Sequence, residues 1–164
     1  MEAFTQKWSL VCLLEKKTEG YEFSAQNWPL HITISGTSFE VEWNEDRLLD
    51  SLTALVSQTP AFKATVLNYA KLGPPSSPVL VSMIESDSGL GDLHNKIVDL
   101  LLSHNAIFTR PLHIKAGYKA HATVKASNKL YEGDSVAVDN IALVDMFPRG
   151  DGHQRKVINI LELK

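Results

Sequence analysis

Hydrophobic and polar residues alternate along two short stretches centred on His31 and His121, which stand 90 residues apart. In the first, Trp28 to Gly36, Leu30, Ile32 and Ile34 alternate with His31, Thr33 and Ser35; in the second, Tyr118 to Ala126, Tyr118, Ala120, Ala122, Val124 and Ala126 alternate with Lys119, His121, Thr123 and Lys125. This period of two predicts half-buried strands. Successive side chains leave a strand on opposite faces, so each His and its Thr emerge side by side, about 7 Å apart, while the aliphatic residues enter a core. Both copies share one frame: an aromatic residue three before the His, a Thr two after it, and a β-branched residue following the Thr. A lone His-x-Thr is a weak signal. Two copies in one frame, in opposite halves of a short chain, predict a shared site.

The remaining periodicities place these strands. Trp8 to Leu14 is a continuous apolar run and predicts a central strand, followed by a polar loop from Glu15 to Asn27. Phe39 to Trp43 alternates and predicts a short strand. Asn44 is a suitable N-cap, with Glu45 and Asp46 in the first turn, for a helix whose stripe is Leu48, Leu49, Leu52, Leu55 and Val56 and which ends near Pro60. Phe62 to Leu72 and Val79 to Ile84 predict a strand pair around the proline-rich loop Gly73 to Pro78. Leu90, Leu93, Ile97, Leu100 and Leu101 mark a second helix ending near Asn105, with His94 and His104 expected at its surface. Ser135 to Phe147 and Lys156 to Leu163 predict a closing hairpin around Pro148 to Gly152. One helix and one His-strand fall in each half, a weak internal repeat that predicts an α+β chain of two similar lobes related by a pseudo-twofold, with both His-x-Thr faces turned into the groove between them.

Composition narrows the function classes. A length of 164 residues suits one domain, residues 1–164, and 44% hydrophobic with 21% charged residues are globular values. A net charge of −3 provides no footprint for long duplex nucleic acid, but leaves a small anion or an RNA end as a partner. The apolar run at Trp8 to Leu14 is too short for a membrane span and lacks the flanks of a secretory signal, so no membrane partner and a cytoplasmic location are expected, with the protein a monomer. The one cysteine, Cys12, falls inside the first strand and reads as a buried structural thiol.

The constellation itself suggests acid–base chemistry at phosphorus. In-line cleavage of a phosphodiester needs a base for the incoming oxygen and an acid for the leaving one, on opposite sides of the phosphorus, and two opposed imidazoles supply both. His31 and His121 are the candidate catalytic pair, and Thr33 and Thr123 the candidate donors to the phosphate oxygens. Lys119 and Lys125 share the parity of His121 and are candidate phosphate ligands, with a solvated surface role as the alternative. Trp28 and Tyr118 either stack a base or pack the core, and the parity of Tyr118 favours packing. His113, in Pro111-Leu112-His113-Ile114, repeats the letters of the first motif without its threonine and reads as structural or incidental. The sequence has no Cys pair, His-x-His or His-Glu-x-x-His, so neither a metal nor a cofactor is expected. Which histidine is acid and which is base stays open.

His31-Ile32-Thr33-Ile34 and His121-Ala122-Thr123-Val124 resemble the paired motif of the two-histidine phosphoesterase superfamily, which includes RNA 2′,5′-ligase-like (LigT-like) proteins and cyclic phosphodiesterases. The resemblance implies a bilobal fold with an antiparallel sheet in each lobe, helices outside and the active site in the central groove. It also implies a metal-independent phosphoesterase acting on a nucleotide, cyclic nucleotide or RNA end, most simply a 2′,3′-cyclic phosphate or a 2′–5′ linkage. A non-catalytic binding module on the same scaffold is the alternative. Two departures stand out. Family members usually carry a helix between the first strand and the first motif, where only Glu15 to Leu30 is available, and Ala120 stands where a proline commonly precedes the second histidine.

Overall fold

The computed structural model describes residues 6–42, 45–87, 89–125 and 129–164. The expected cap Asn44, the end of the predicted strand at Trp43, and Ala126 lie outside them. The apolar run near the N-terminus forms β1 (Lys7–Leu13), which is buried on both faces because strands flank it on either side and packed side chains cover it above and below. Trp8, Leu10 and Cys12 enter the main core from one face, and Val11 and Leu13 enter a second, smaller cluster from the other.

The first His-x-Thr stretch is β3 (His31–Thr33), antiparallel to β1 with Leu13 opposite His31 and Val11 opposite Thr33. Beyond it the strand bends. Ser35 is buried, its hydroxyl accepts the Leu10 N–H at 3.2 Å in place of a ladder bond and donates to the Thr37 carbonyl at 2.8 Å. Gly36 then takes a φ of +81°, and the chain resumes beside β1 as β4 (Phe39–Glu40). With β2 (Glu22–Ser24), β7 (Ile107–Phe108), β10 (Asn140–Asp145) and β11 (Gln154–Glu162), these form a seven-stranded antiparallel sheet among the described residues.

The second sheet has four strands, β8 (His121–Thr123), β6 (Val79–Ile84), β5 (Phe62–Leu72) and β9 (Ser135–Val138), in that order across it. Helices α1 (Glu45–Val56) and α2 (Leu90–Leu102) contribute Leu48, Leu52 and Val56 and Leu90, Leu93, Ile97 and Leu101 to one buried cluster that also takes side chains from both sheets. The α+β architecture of two antiparallel sheets with helices outside and a groove between them is therefore present, in lobes of unequal strand number. Among the described residues no helix is long and apolar enough to cross a membrane.

Several boundaries differ from the sequence pattern. The predicted closing hairpin is wrong in its first arm: Ser135 to Phe147 is two strands, β9 pairing with β5 in one sheet and β10 pairing with β1 and β11 in the other. The break falls at Asp139, where the chain crosses between sheets, and both strands are apolar enough to look continuous. The Glu15 to Asn27 stretch, expected as a polar loop, contains β2, whose Phe23 belongs to the smaller cluster. Helix α1 ends at Val56, four residues before Pro60. Helix α2 ends at Leu102, and Asn105 adopts the left-handed conformation with φ of 63°.

Gly36 is the tightest point of the bend. A Cβ there would lie 2.5 Å from the His113 carbonyl oxygen and 3.0 Å from Cε1 of His94, on a backbone that already disfavours side chains. Gly36→Ala should destabilise the protein by about 2 kcal/mol or more in urea unfolding; a loss below about 0.5 kcal/mol would mean that the bend relaxes freely.

Candidate active site

β3 and β8 belong to different sheets yet lie side by side. Among the described residues they share no backbone ladder; side chains join them instead. The Tyr118 hydroxyl donates to the Thr33 carbonyl at 2.8 Å, and the Lys125 ammonium donates to the Trp28 carbonyl. Tyr118 precedes β8 while Thr33 ends β3, and Lys125 follows β8 while Trp28 precedes β3, so the two strands run antiparallel with His31 and His121 between the tethers. The two imidazoles are near enough that charge on His121 disfavours protonation of His31.

Both rings are anchored alike. His31 Nδ1 lies 2.8 Å from the Pro29 carbonyl oxygen, and His121 Nδ1 lies 2.6 Å from that of Lys119, in each case the carbonyl two residues upstream. A carbonyl only accepts, so Nδ1 carries the hydrogen in both rings and Nε2 is left for chemistry. Burial, with lesser contributions from His121 and Lys125, pushes the pKa of His31 down to about 4. His31 is therefore neutral at pH 7, with a lone pair on Nε2.

A cavity of about 550 Å³ opens at this end of the strands, lined by Ala25 to His31 and by Thr123, Val124 and Lys125. Trp28 lies in its wall, tilted against the His31 ring at 4.6 Å between centroids and edge-on to Phe23 at 4.9 Å. Of the loops flanking the sequence motifs, the one ending at Asn27 contributes to the wall. A larger cavity of about 730 Å³ shares Leu30 with it but contains neither histidine; the chemistry points to the smaller one. Among the described residues no group of three or more His, Cys, Asp or Glu is placed to hold a metal ion.

The expected site residues thus separate. His31, Thr123 and Lys125 line one cavity beside His121. Thr33 is half-buried on the same face of β3 but outside that lining, and its carbonyl takes the Tyr118 hydroxyl. Lys119 is exposed and contributes its carbonyl, not its ammonium, to the anchoring of His121. Lys125 is also 3.9 Å from the Glu15 carboxylate. Tyr118 packs, as its parity suggested, and Cys12 is buried with its thiol pushed up to about 11 by desolvation.

One expectation fails. His94, read as a surface residue, is 1% exposed. The signal was present: His94 stands four after Leu90 and three before Ile97, inside the apolar stripe of α2. Its Nδ1 donates to the Ile34 carbonyl at 2.7 Å, its Nε2 accepts the Lys115 N–H at 2.9 Å, and its ring stacks on Tyr118 at 3.8 Å with 5° between planes. The buried polar ring is satisfied at both nitrogens, which resolves the conflict between its chemistry and its place.

A family model described as the 2′-5′ RNA ligase superfamily matches residues 3–141. The chain belongs to the 2′-5′ RNA ligase superfamily. The two-histidine phosphoesterase resemblance holds at the level of fold as well. A crystal structure of a phosphoesterase is 17% identical with a TM-score of 0.58, the match covering 97% of this chain and 99% of that one. E. coli LigT complexed with 3′-AMP is 17% identical with a TM-score of 0.57, covering 97% and 98%. TT0787 of Thermus thermophilus is 17% identical with a TM-score of 0.59, covering 96% and 97%. No curated protein sequence matches the chain. At this identity the likeness to these structures establishes the fold alone.

Burial holds both His31 and His94 below the ordinary histidine pKa of 6.5. The unfolded chain therefore binds more protons than the folded one just below that value, so stability is complete above about pH 6.5 and falls as pH descends, for His31 as far as about pH 4 and by up to about 1.4 kcal/mol per pH unit. His31→Asn should flatten the fall of the unfolding midpoint between pH 6.5 and 5 relative to wild type; parallel curves would mean that His31 titrates normally in the fold.

Proposed function

We infer that this chain is a metal-independent phosphoesterase that hydrolyses, or reversibly ligates, a nucleotide or RNA-end phosphodiester, with a 2′,3′-cyclic phosphate or a 2′–5′ linkage as the substrate class. The matched anchoring of His31 and His121 carries the reading: two rings from different sheets, each fixed through Nδ1 to the carbonyl two residues upstream, each with Nε2 free. A binding module needs donors and cations but not two imidazoles in one tautomer. The family match and the fold shared with a protein crystallised with 3′-AMP and with ATP support the substrate class.

The burial of His31 favours this ring as the base in hydrolysis. His31, kept neutral by burial, takes a proton from water on Nε2 as the water oxygen attacks phosphorus. His121, as the acid of the pair, gives a proton from Nε2 to the ribose oxygen as the P–O bond breaks. Charge repulsion between the rings disfavours two protons on the pair. Thr33 and Thr123 donate to the non-bridging oxygens, where charge accumulates in the transition state. Lys125 adds positive charge at the cavity wall, and ligation follows the same path with the two histidine roles exchanged.

His31→Ala or His121→Ala should each lower kcat/KM by at least about 10²-fold on 2′,3′-cyclic mononucleotides or 2′–5′ dinucleotides, with the fold intact by circular dichroism. Full activity in either variant refutes the pairing. The wild-type rate should survive EDTA, and its pH profile should be a bell whose acid limb lies below 6.5 because His31 stays neutral there. No turnover at any pH, with nucleotide binding retained, would make the protein a non-catalytic binding module.

A further inference from the structure

β3 and β8 have no backbone ladder to fix their spacing, yet acid–base catalysis across one phosphorus tolerates little error in the separation of two imidazoles. His94 and Tyr118 are placed to fix it. His94 reaches from α2 to the Ile34 carbonyl through Nδ1, while Tyr118 donates its hydroxyl to the adjacent Thr33 carbonyl, so the end of β3 is gripped at two consecutive residues. The other side of the grip is the approach to β8. Two tight turns, Pro111–His113 and Lys115–Gly117, deliver the chain to Tyr118, with Lys115 at φ 58° and its N–H donating to His94 Nε2 at 2.9 Å. Gly117 is backed against the Leu112 carbonyl so closely that a Cβ would lie 1.8 Å from its oxygen.

Every hydrogen in this unit is forced. Ile34 offers only an acceptor and Lys115 N–H only a donor, so His94 is locked into one neutral tautomer. Burial raises the Tyr118 phenol, which stays protonated and donates to Thr33. The faces of the two rings lie 3.8 Å apart, so neither ring can tilt without the other.

We propose that His94 and Tyr118 are positioning residues: a stacked pair that ties the His31 strand to the approach of the His121 strand and sets the distance between the two imidazoles. Neither ring lines the cavity of the histidine pair. The proposal rests on the reading of His31 and His121 as acid and base, and it also makes a structural claim that can be measured without turnover.

Tyr118→Phe removes one hydroxyl and keeps the stacked ring. It should lower kcat by about tenfold or more with KM changed less than twofold, a larger kinetic effect than Val138→Ala, a core truncation in β9 at the far edge of the second sheet, which should lower the unfolding midpoint and leave kcat alone. His94→Leu should behave like Tyr118→Phe, and His94→Gln, with one amide donor for Ile34 and one acceptor for Lys115, should restore much of kcat. By NMR, the His31 imidazole in Tyr118→Phe should titrate more than about half a pH unit higher than in wild type, as the ring gains water. A wild-type kcat and an unmoved His31 titration in folded Tyr118→Phe would overturn the proposal. If the wild-type protein turns over none of the phosphodiesters, the proposed function fails, and the NMR shift alone then decides whether the pair positions the strands.

Discussion

Two hydrogen bonds from side chains to backbone hold this site together. The strands that present His31 and His121 are each built into their own sheet, through β1 on one side and β6 on the other, and neither sheet's ladder reaches across to the other strand. The bonds from Tyr118 to Thr33 and from Lys125 to Trp28 span that gap from both ends. A groove with a backbone ladder across it would be closed to a ligand. A groove with no tie would leave two imidazoles at an undefined distance.

The same arrangement gives the two motifs unlike surroundings. β3 lies beside a central strand and below the Trp28 ring, and its histidine is desolvated far enough to stay neutral. Lys125 is bound at once by a carbonyl and near a carboxylate, which fixes a cation at the cavity wall rather than leaving it to solvent. The lysine's strut role and its charge are served by one side chain.

Much of the fold was legible because its signals are local. The His-x-Thr strands, the strand pair around the proline loop and both helices follow from period-2 and period-3.6 burial, which each segment carries in its own residues. The misreadings arose where a local signal was weak or was outweighed by another. Between Ser135 and Phe147 only the polar pair Asp139-Asn140 marks where the chain changes sheets, and the apolar residues on both sides of it read as one strand. The short strands β2 and β7 form because partners already in place offer free edges, at β11 and β4, not because three or two residues favour extension alone. His94 was misplaced because polarity was weighed above its position on the stripe of α2, and only the carbonyl of Ile34 and the N–H of Lys115 make that burial tolerable.

By itself the sequence determined which side chains could do chemistry, and that His and Thr would share a face in each copy, since both follow from residue identity and the alternation of a strand. The pattern of apolar residues determined the separate strands and helices, and the resemblance carried by the two motifs implied two antiparallel layers with helices outside. The tertiary structure decided which face meets which: that the two strands lie antiparallel, that Lys119 is exposed outside the cavity lining while Lys125 belongs to it, and that His31 is desolvated. Those depend on the distances and dielectric between residues far apart in the chain, and such quantities exist only once the chain has folded.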